Sequence, residues 1–351
     1  MMKNASITQK DVAEKAGVSR SVVSYVINNG PREVAPETRE RVLEVIKELG
    51  YHPNKDAQRL KLGESKATKS LGIIAGGKSF NVLERPYYNI ILSGLFEEAH
   101  MMGLDVRFFS FFEALLDPVF FNRNIHPNEI SSLVLMLPGM VSENPAYREI
   151  LEQIAERIEH VVCLEESVHN WPTVIFDRAN AARQAVQHLI DLGHQRIAFL
   201  AINDNRLDGY RQTLLDNHLP YDENLVFVID PSNVLVSSYE LTSRIVQMQP
   251  RPTAIFAAND ESAISAMACL QDQKIKIPEE MAIVSIDNIG LSAMIRPGLT
   301  TVDVPKKRMA TYAMQFLMMQ KQFSNQNPAS IVLPTELIIR ESCGAGFKKL
   351  G

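Results

Sequence analysis

From Leu71 onward the chain repeats one pattern: a short apolar run, a turn, then an amphipathic stretch. The runs are LGIIA (71–75), LDVRFF (104–109), LVLML (133–137), HVVCL (160–164), TVIF (173–176), RIAFL (196–200), LVFVI (225–229), TAIFA (253–257) and AIVSI (282–286). Amphipathic segments such as 179–192 and 261–273 lie between them. Runs that are apolar at consecutive positions fit strands covered on both faces, the situation of parallel sheets. Alternation of such strands with helices predicts an α/β fold. About ten units over roughly 270 residues suit two doubly wound subdomains better than one large sheet. Ligands in such folds settle at the carboxyl ends of strands.

The part ahead of Leu71 is built differently. ITQKDVAEKAGVSRSVVSYVIN (7–28) reads as two short helices with a tight turn between them. Thr8 and Asp11, three residues apart, form a capping signal, and Val12, Ala13 and Ala16 share one face. Gly17 supplies a turn that needs positive φ, and Ser19 is a good N-cap for the second helix. A helix–turn–helix of this kind presents the start of its second helix to the DNA major groove. An ordinary helical hairpin has the same local pattern, so the residues after Asn28 decide between the two. A third helix is predicted from Pro36, with Glu37 in its first turn and Gly50 at its close. Its Val42, Leu43, Val45, Ile46 and Leu49 can cover the helix pair. After Tyr51–His52–Pro53, Asn54 can cap a very short helix, KDAQRLKL, which Gly63 ends before a polar linker, ESKATKS (64–70). A helix this short is not stable alone in water. It can fold on docking and melt on leaving, which is a physical basis for a switch.

Bulk properties narrow the class. The 351 residues are 46% apolar and 22% charged, as in folded globular proteins. The net charge is −5, yet residues 1–66 hold 12 Lys and Arg against 9 Asp and Glu. A basic head on an acidic body is compatible with one part docking on phosphates. Cys163, Cys269 and Cys343 are widely spaced, which excludes a zinc-finger route and a disulfide framework. The polar start MMKNASITQKD has no signal-peptide character, and no apolar run reaches membrane length. A cytoplasmic protein is expected.

Three other functions have some foothold. GIIAGGKS (72–79) satisfies the phosphate-loop string G-x-x-x-x-G-K-S. A true phosphate loop follows its strand and opens a helix, whereas Gly72 lies inside a predicted strand and the stretch SFNVLERPYY (79–88) offers no helix start. A solute-binding protein shares the two-lobed architecture but calls for an export signal and no helix–turn–helix. An enzyme using Asp287 or Glu165 as a base lacks any visible nucleophile–base pair or metal-ligand cluster, so no enzyme activity, cofactor or metal is expected.

The whole arrangement resembles the LacI/GalR (lactose-repressor) family of bacterial transcription regulators. The resemblance rests on DVAEKAGVSRSVVSYVIN (11–28), PETRERVLEVIKELGYHPN (36–54), the AQRL–K–L–G stretch (57–63) and HLIDLGHQRIAFL (188–200). It continues through RLDGYR (206–211), RPTAIFAAND (251–260), Ile277–Pro278, AIVSID (282–287) and PGLTTV (297–302). It implies a helix–turn–helix head (1–53), a hinge helix and linker (54–70), an effector-binding and dimerisation domain (71–345) and a tail (346–351). Within the large domain, 71–174 with 304–331 would form one subdomain of periplasmic-binding-protein type, and 175–303 with 332–345 the other. The tail GAGFKKLG lacks heptads, so no tetramerising coil is expected.

For DNA, the resemblance implies that Arg20, Ser21 and Tyr25 read bases, and that Thr8, Ser19, Ser24 and Asn28 meet phosphates. Arg20 can contact guanine bidentately. Capping is an equal role for Ser19, and Ala35 stands where relatives commonly have a serine. Leu60 matches the leucine that relatives wedge into the minor groove at the centre of a near-palindromic operator, which takes a two-fold homodimer. For a sugar-like effector the matching positions are Arg206, Asn259, Asp287 and Glu165, with Tyr87 and Tyr88 as stacking aromatics. Helix capping competes for Asn259 and Asp287. Departures include Arg85–Pro86 for the usual Asn-Pro, Val304–Pro305 for Gln-Pro, and the aromatic stretch FFSFFEALLDPVFF (108–121). They leave open a modified sugar, a glycoside, a corepressing ligand or a regulator without a diffusible effector.

Overall fold

Thr8 begins the first helix with a closed capping box. Its hydroxyl accepts the Asp11 amide, and the Asp11 carboxylate accepts the Thr8 amide at 2.6 Å. The computed structural model describes residues 7–28, 34–51, 70–76, 82–139, 144–319 and 329–345. Leu60 with its hinge, and Lys78 and Ser79 of the phosphate-loop string, lie outside the described residues. Helix α1 (Gln9–Ala16) ends at Gly17, whose φ of 64° is the left-handed turn expected there. Helix α2 (Arg20–Asn28) starts after Ser19, whose hydroxyl accepts the Val22 amide at 3.4 Å. Helix α3 (Pro36–Leu49) begins at Ala35, which makes no side-chain cap bond, and closes at Gly50. Val12, Ala13 and Ala16 bury against Val23, Val26, Val42 and Ile46 in a small core of the head's own.

Of the described residues, those up to 82 with 92–174 and 310–330 make one compact unit. Residues 83–91, 175–309 and 331–345 make a second. The first unit holds a six-stranded sheet in the order β11-β5-β4-β3-β1-β2. Its strands are β1 (Ser70–Ala75), β2 (Asp105–Phe111), β3 (Ser132–Met136), β4 (His160–Leu164), β5 (Thr173–Phe176) and β11 (Ser330–Leu333). Pairs β2/β1, β1/β3, β3/β4 and β4/β5 are parallel. The second unit holds β12-β10-β9-β8-β6-β7: β6 (Ile197–Ala201), β7 (Val226–Val228), β8 (Ala254–Ala257), β9 (Ala282–Asp287), β10 (Thr300–Asp303) and β12 (Glu336–Ile338). Neighbours from β10 to β7 are parallel, while β12 runs antiparallel to β10 on the edge. The apolar-run pattern marks the core strands and misses β10, β11 and β12. Those three are short, and the two late ones are only partly buried, so they lack a continuous apolar signature.

The helices are α4 (Pro86–Met101), α5 (Pro118–Asn124), α6 (Pro145–Arg157), α7 (Arg178–Asp191), α8 (Arg206–Asp216), α9 (Val234–Gln247), α10 (Asp260–Asp272) and α11 (Lys306–Met319). Among the described residues, no helix is long and apolar enough to cross a membrane. Two sequence features acquire structural reasons. A Cβ on Gly72 would sit 2.6 Å from the Phe108 ring, so this glycine admits a neighbouring aromatic within β1 rather than opening a phosphate loop. The aromatic stretch 108–121 largely fills the core of the first unit. Phe112, Leu115 and Phe121 are buried with Tyr147, Ile154 and Trp171, and Phe108 and Phe120 pack against them.

Candidate functional site

Four neighbouring parallel strands of the second unit, β10, β9, β8 and β6, deliver polar residues at or just beyond their carboxyl ends. Arg206 opens α8 after β6, Asn259 and Asp260 come after β8, Asp287 ends β9 and Lys306 opens α11 after β10. This is where an open parallel sheet collects a ligand.

Asp287 and Asn288 have φ of 124° and 53°, an unusual backbone for two successive side-chain-bearing residues. Such conformations persist only where surrounding bonds over-determine them. Here the Lys306 ammonium donates to the Asp287 carbonyl and, at 2.8 Å, to the Val304 carbonyl. Asn288 donates its side-chain amide to Asp303 at 2.9 Å, and its oxygen accepts from Arg340 at 2.7 Å. The turn aims a buried carboxylate that receives no hydrogen bond from any described residue. Burial, and then the Asp260 charge, raise the Asp287 pKa well above the usual carboxylate range; Arg206, Lys306 and Arg85 pull it back only partly.

Asp260 is the hub behind this turn. Its carboxylate is buried and accepts four hydrogen bonds: Ser285 and Thr301 hydroxyls at 2.6 Å, the Ser292 hydroxyl at 2.5 Å and the Ile289 amide at 2.8 Å. Burial raises its pKa, while the same four bonds oppose the rise. Asp260, Lys306, Arg85 and Glu261 lie outside the set of expected effector residues. The Asp in AAND directly follows Asn259 in sequence, but its partners lie 25 to 41 residues away and leave no local signal.

Arg206 is 9% exposed. One terminal nitrogen donates to the Ala258 carbonyl at 2.5 Å, and the other pairs with Asp204 at 3.1 Å. Its Nε is buried with no partner among the described residues. Asn259 caps α10: its oxygen accepts the Ser262 amide at 2.8 Å and hydroxyl at 2.7 Å. Its amide nitrogen has no partner among the described residues, so the cap uses only the oxygen end of the group. Arg85 pairs with Glu261 at 2.9 Å, and its guanidinium lies 5.7 Å from the centre of the Tyr88 ring. Tyr87 is buried, its hydroxyl 3.6 Å from the Met309 sulfur and its ring 5.8 Å from the Lys306 ammonium. Tyr87 therefore packs among its neighbours, and Tyr88, half-buried, is the more open aromatic. Glu165 belongs to the first unit, buried just after β4 with φ of 74°.

In the head, Arg20 and Ser21 are exposed at the start of α2, and Tyr25 is half-buried one turn on. Arg20 makes a long contact of 3.5 Å to Gln9. The Thr8 hydroxyl is engaged by Asp11 at 2.7 Å, so capping is its role in the free chain. Among the described residues no cluster of His, Cys, Asp and Glu could hold a metal ion.

Residues 8–54 match the family model described as bacterial regulatory proteins, lacI family. Residues 186–343 match the model of a periplasmic binding protein-like domain. Catabolite control protein A of Priestia megaterium is 30% identical over 346 residues, covering 96% of this chain and 99% of that protein. The HTH-type transcriptional regulator MalR of Clostridium butyricum is 29% identical, covering 95% and 98%. Among solved structures, a complex of the transcriptional regulator CelR with cellobiose is 26% identical with a TM-score of 0.67, covering 96% of this chain and 99% of that one.

Proposed function

The chain belongs to the lacI family of bacterial regulatory proteins, and we propose that its Arg206–Asp287 site binds the effector that controls operator affinity. The protein is a DNA-binding transcription regulator, not an enzyme, and its partners are operator DNA, a sugar-type effector and a second copy of itself.

One observation carries the effector assignment. The Arg206 Nε is a buried donor without an acceptor among the described residues, and the nearby Asp287 carboxylate is an acceptor without a donor among them. A polyhydroxylated ligand satisfies both, since each hydroxyl accepts from a guanidinium and donates to a carboxylate. The free amide nitrogen of Asn259 adds a third contact, and Tyr88 an apolar face. Glu165 and Tyr87 stay in the proposed set on the strength of the resemblance alone. The cellobiose complex of a relative supports a sugar or glycoside. The ligand acts as inducer, weakening operator binding; a corepressor reverses that sign.

On the DNA side, Arg20, Ser21 and Tyr25 read bases, Thr8, Ser19, Ser24 and Asn28 meet phosphates, and Leu60 wedges into the minor groove. The division into head (1–53), hinge (54–70) and effector domain (71–345) belongs to the same reading, as does a cytoplasmic location. The test has two arms. Duplexes selected from a random pool should converge on a near-palindrome, and a saccharide panel should raise the thermal midpoint of the wild type but not of Arg206→Ala or Asp287→Asn. Failure of the pool to converge overturns the operator reading. An equal shift in wild type and both variants overturns the effector site.

A further inference from the structure

The head does not hang free of the first unit. Val119 of α5 packs against the core formed by Val26, Ile27 and Val42 of the head, and α3 lies on α5. Lys47 of α3 faces Glu149 of α6 at 3.6 Å across the same seam. A cavity of about 400 Å³ opens where these elements meet, within the range of small-molecule sites. Its polar lining is one-sided: Arg39 from α3, Arg107 from β2 and Arg123 from α5, against the single carboxylate of Asp117. That carboxylate is engaged as the cap of α5, accepting the Val119 amide at 2.8 Å. Among the described residues Arg107 has only the exposed Asp105 as an ion-pair partner, at 3.2 Å, and Arg123 makes no ion pair or hydrogen bond. Ile27 and Phe120 supply apolar wall.

We propose that this seam is a second ligand site, which takes a small metabolite carrying one or more phosphate groups. Three guanidinium groups from three elements line one pocket, Arg39 half-buried and Arg107 and Arg123 open to solvent, and each can meet phosphate oxygens through a planar pair of N–H donors. The apolar wall accommodates an organic moiety beside the phosphate. The site differs in kind from the one at Asp287: it reads charge where that one reads hydroxyls. Because it joins head residues to body residues, a ligand held here is coupled to the position of the head. By linkage it then changes operator affinity, and operator changes affinity for it by the same factor.

Sodium pyrophosphate is the probe, titrated calorimetrically into the full-length protein and compared with sodium chloride at equal ionic strength. Saturable binding is expected, with a rise in the thermal midpoint of about 2–4 °C. Affinity should fall at least tenfold in Arg123→Ala, in Arg107→Ala and in Arg39→Ala, the last showing that the head takes part. Arg183→Ala, an exposed arginine on α7 outside the seam, should bind as the wild type does. Each variant's midpoint without ligand shows whether it folds, and Arg→Lys at the same positions replaces any that does not. Absence of saturable binding in the wild type overturns the proposal, as does affinity unchanged in the three seam variants.

Discussion

Thr301 donates its hydroxyl to the Asp260 carboxylate at 2.6 Å and accepts the Asn288 amide at 3.2 Å. One side chain thus ties the buried hub at the start of α10 to the strained turn that carries Asp287. The Ile289 amide and Ser292 hydroxyl reach the other Asp260 oxygen from the same loop.

Removing the hub should therefore be costly. Asp260→Ala strands three hydroxyls and one amide in a dry interior, and a loss of about 3–5 kcal/mol is expected from the precedent of broken buried charge networks. Asp260→Asn retains one acceptor oxygen and should lose less, about 1–3 kcal/mol. Urea unfolding of the two variants checks the order, and a loss below about 1 kcal/mol for the alanine variant would show that the network is not cooperative.

Asp287 should behave in the opposite way. Its folded pKa lies above the unfolded value, so the native state holds the extra proton, and stability falls as pH rises from the unfolded pKa through the folded one. Asp287→Asn removes that decline. Its thermal midpoint should match the wild type near pH 4 and exceed it by a few degrees at pH 7, at roughly 1.4 kcal/mol per unit of pKa shift. Saccharide response should disappear in the same variant. A midpoint gap that does not widen with pH would remove Asp287 as the source.

Arg206 tests the orphan donor. Arg206→Lys keeps the charge beside Asp204 but loses the planar fork, and effector affinity should drop about tenfold or more. Operator binding without effector should stay near wild type. Gel-shift titration with and without saccharide separates the two, and a lysine variant with full effector response would exclude the guanidinium contact.

Gly72→Ala addresses the phosphate-loop string. The added methyl meets the Phe108 ring, so a destabilisation of about 1–3 kcal/mol is expected from overpacking. ATP should produce no midpoint shift that depends on the phosphate-loop string: any shift through the seam arginines should be the same in wild type and in Lys78→Ala. A nucleotide-dependent shift abolished by Lys78→Ala would reverse this reading.

In the head, Arg20→Ala should cost about 1–3 kcal/mol of discrimination at one operator base pair. Ser24→Ala should instead weaken binding to all sequences alike and leave its salt dependence unchanged, because a neutral hydroxyl displaces no counterion. Fluorescence anisotropy on specific and random DNA distinguishes the two, and equal effects on both for Arg20→Ala would end its base-reading role.

By itself the sequence determined whatever depends on near neighbours. The Thr8–Asp11 box, the Gly17 and Gly50 turns and the Asn259 cap need only a few adjacent residues, and each forms as its spacing predicts. The nine apolar runs became strands, seven of them almost wholly buried as continuous apolarity requires, while β2 and β7 lie on sheet edges and are partly exposed. Ordered motifs also carried the family, and the resemblance pointed to Arg206, Asn259 and Asp287, which the fold brings to the carboxyl ends of neighbouring strands. Tertiary structure alone decided the rest. Asp260 is the hub because Ser285, Ser292 and Thr301 come to it across the sheet, and Lys306 supports the turn because α11 begins beside the end of β9. The edge strand β12 pairs antiparallel, Gly72 yields to Phe108, and the aromatic stretch goes into a core. Each depends on residues distant in the chain, whose contacts arise only when the sheets form.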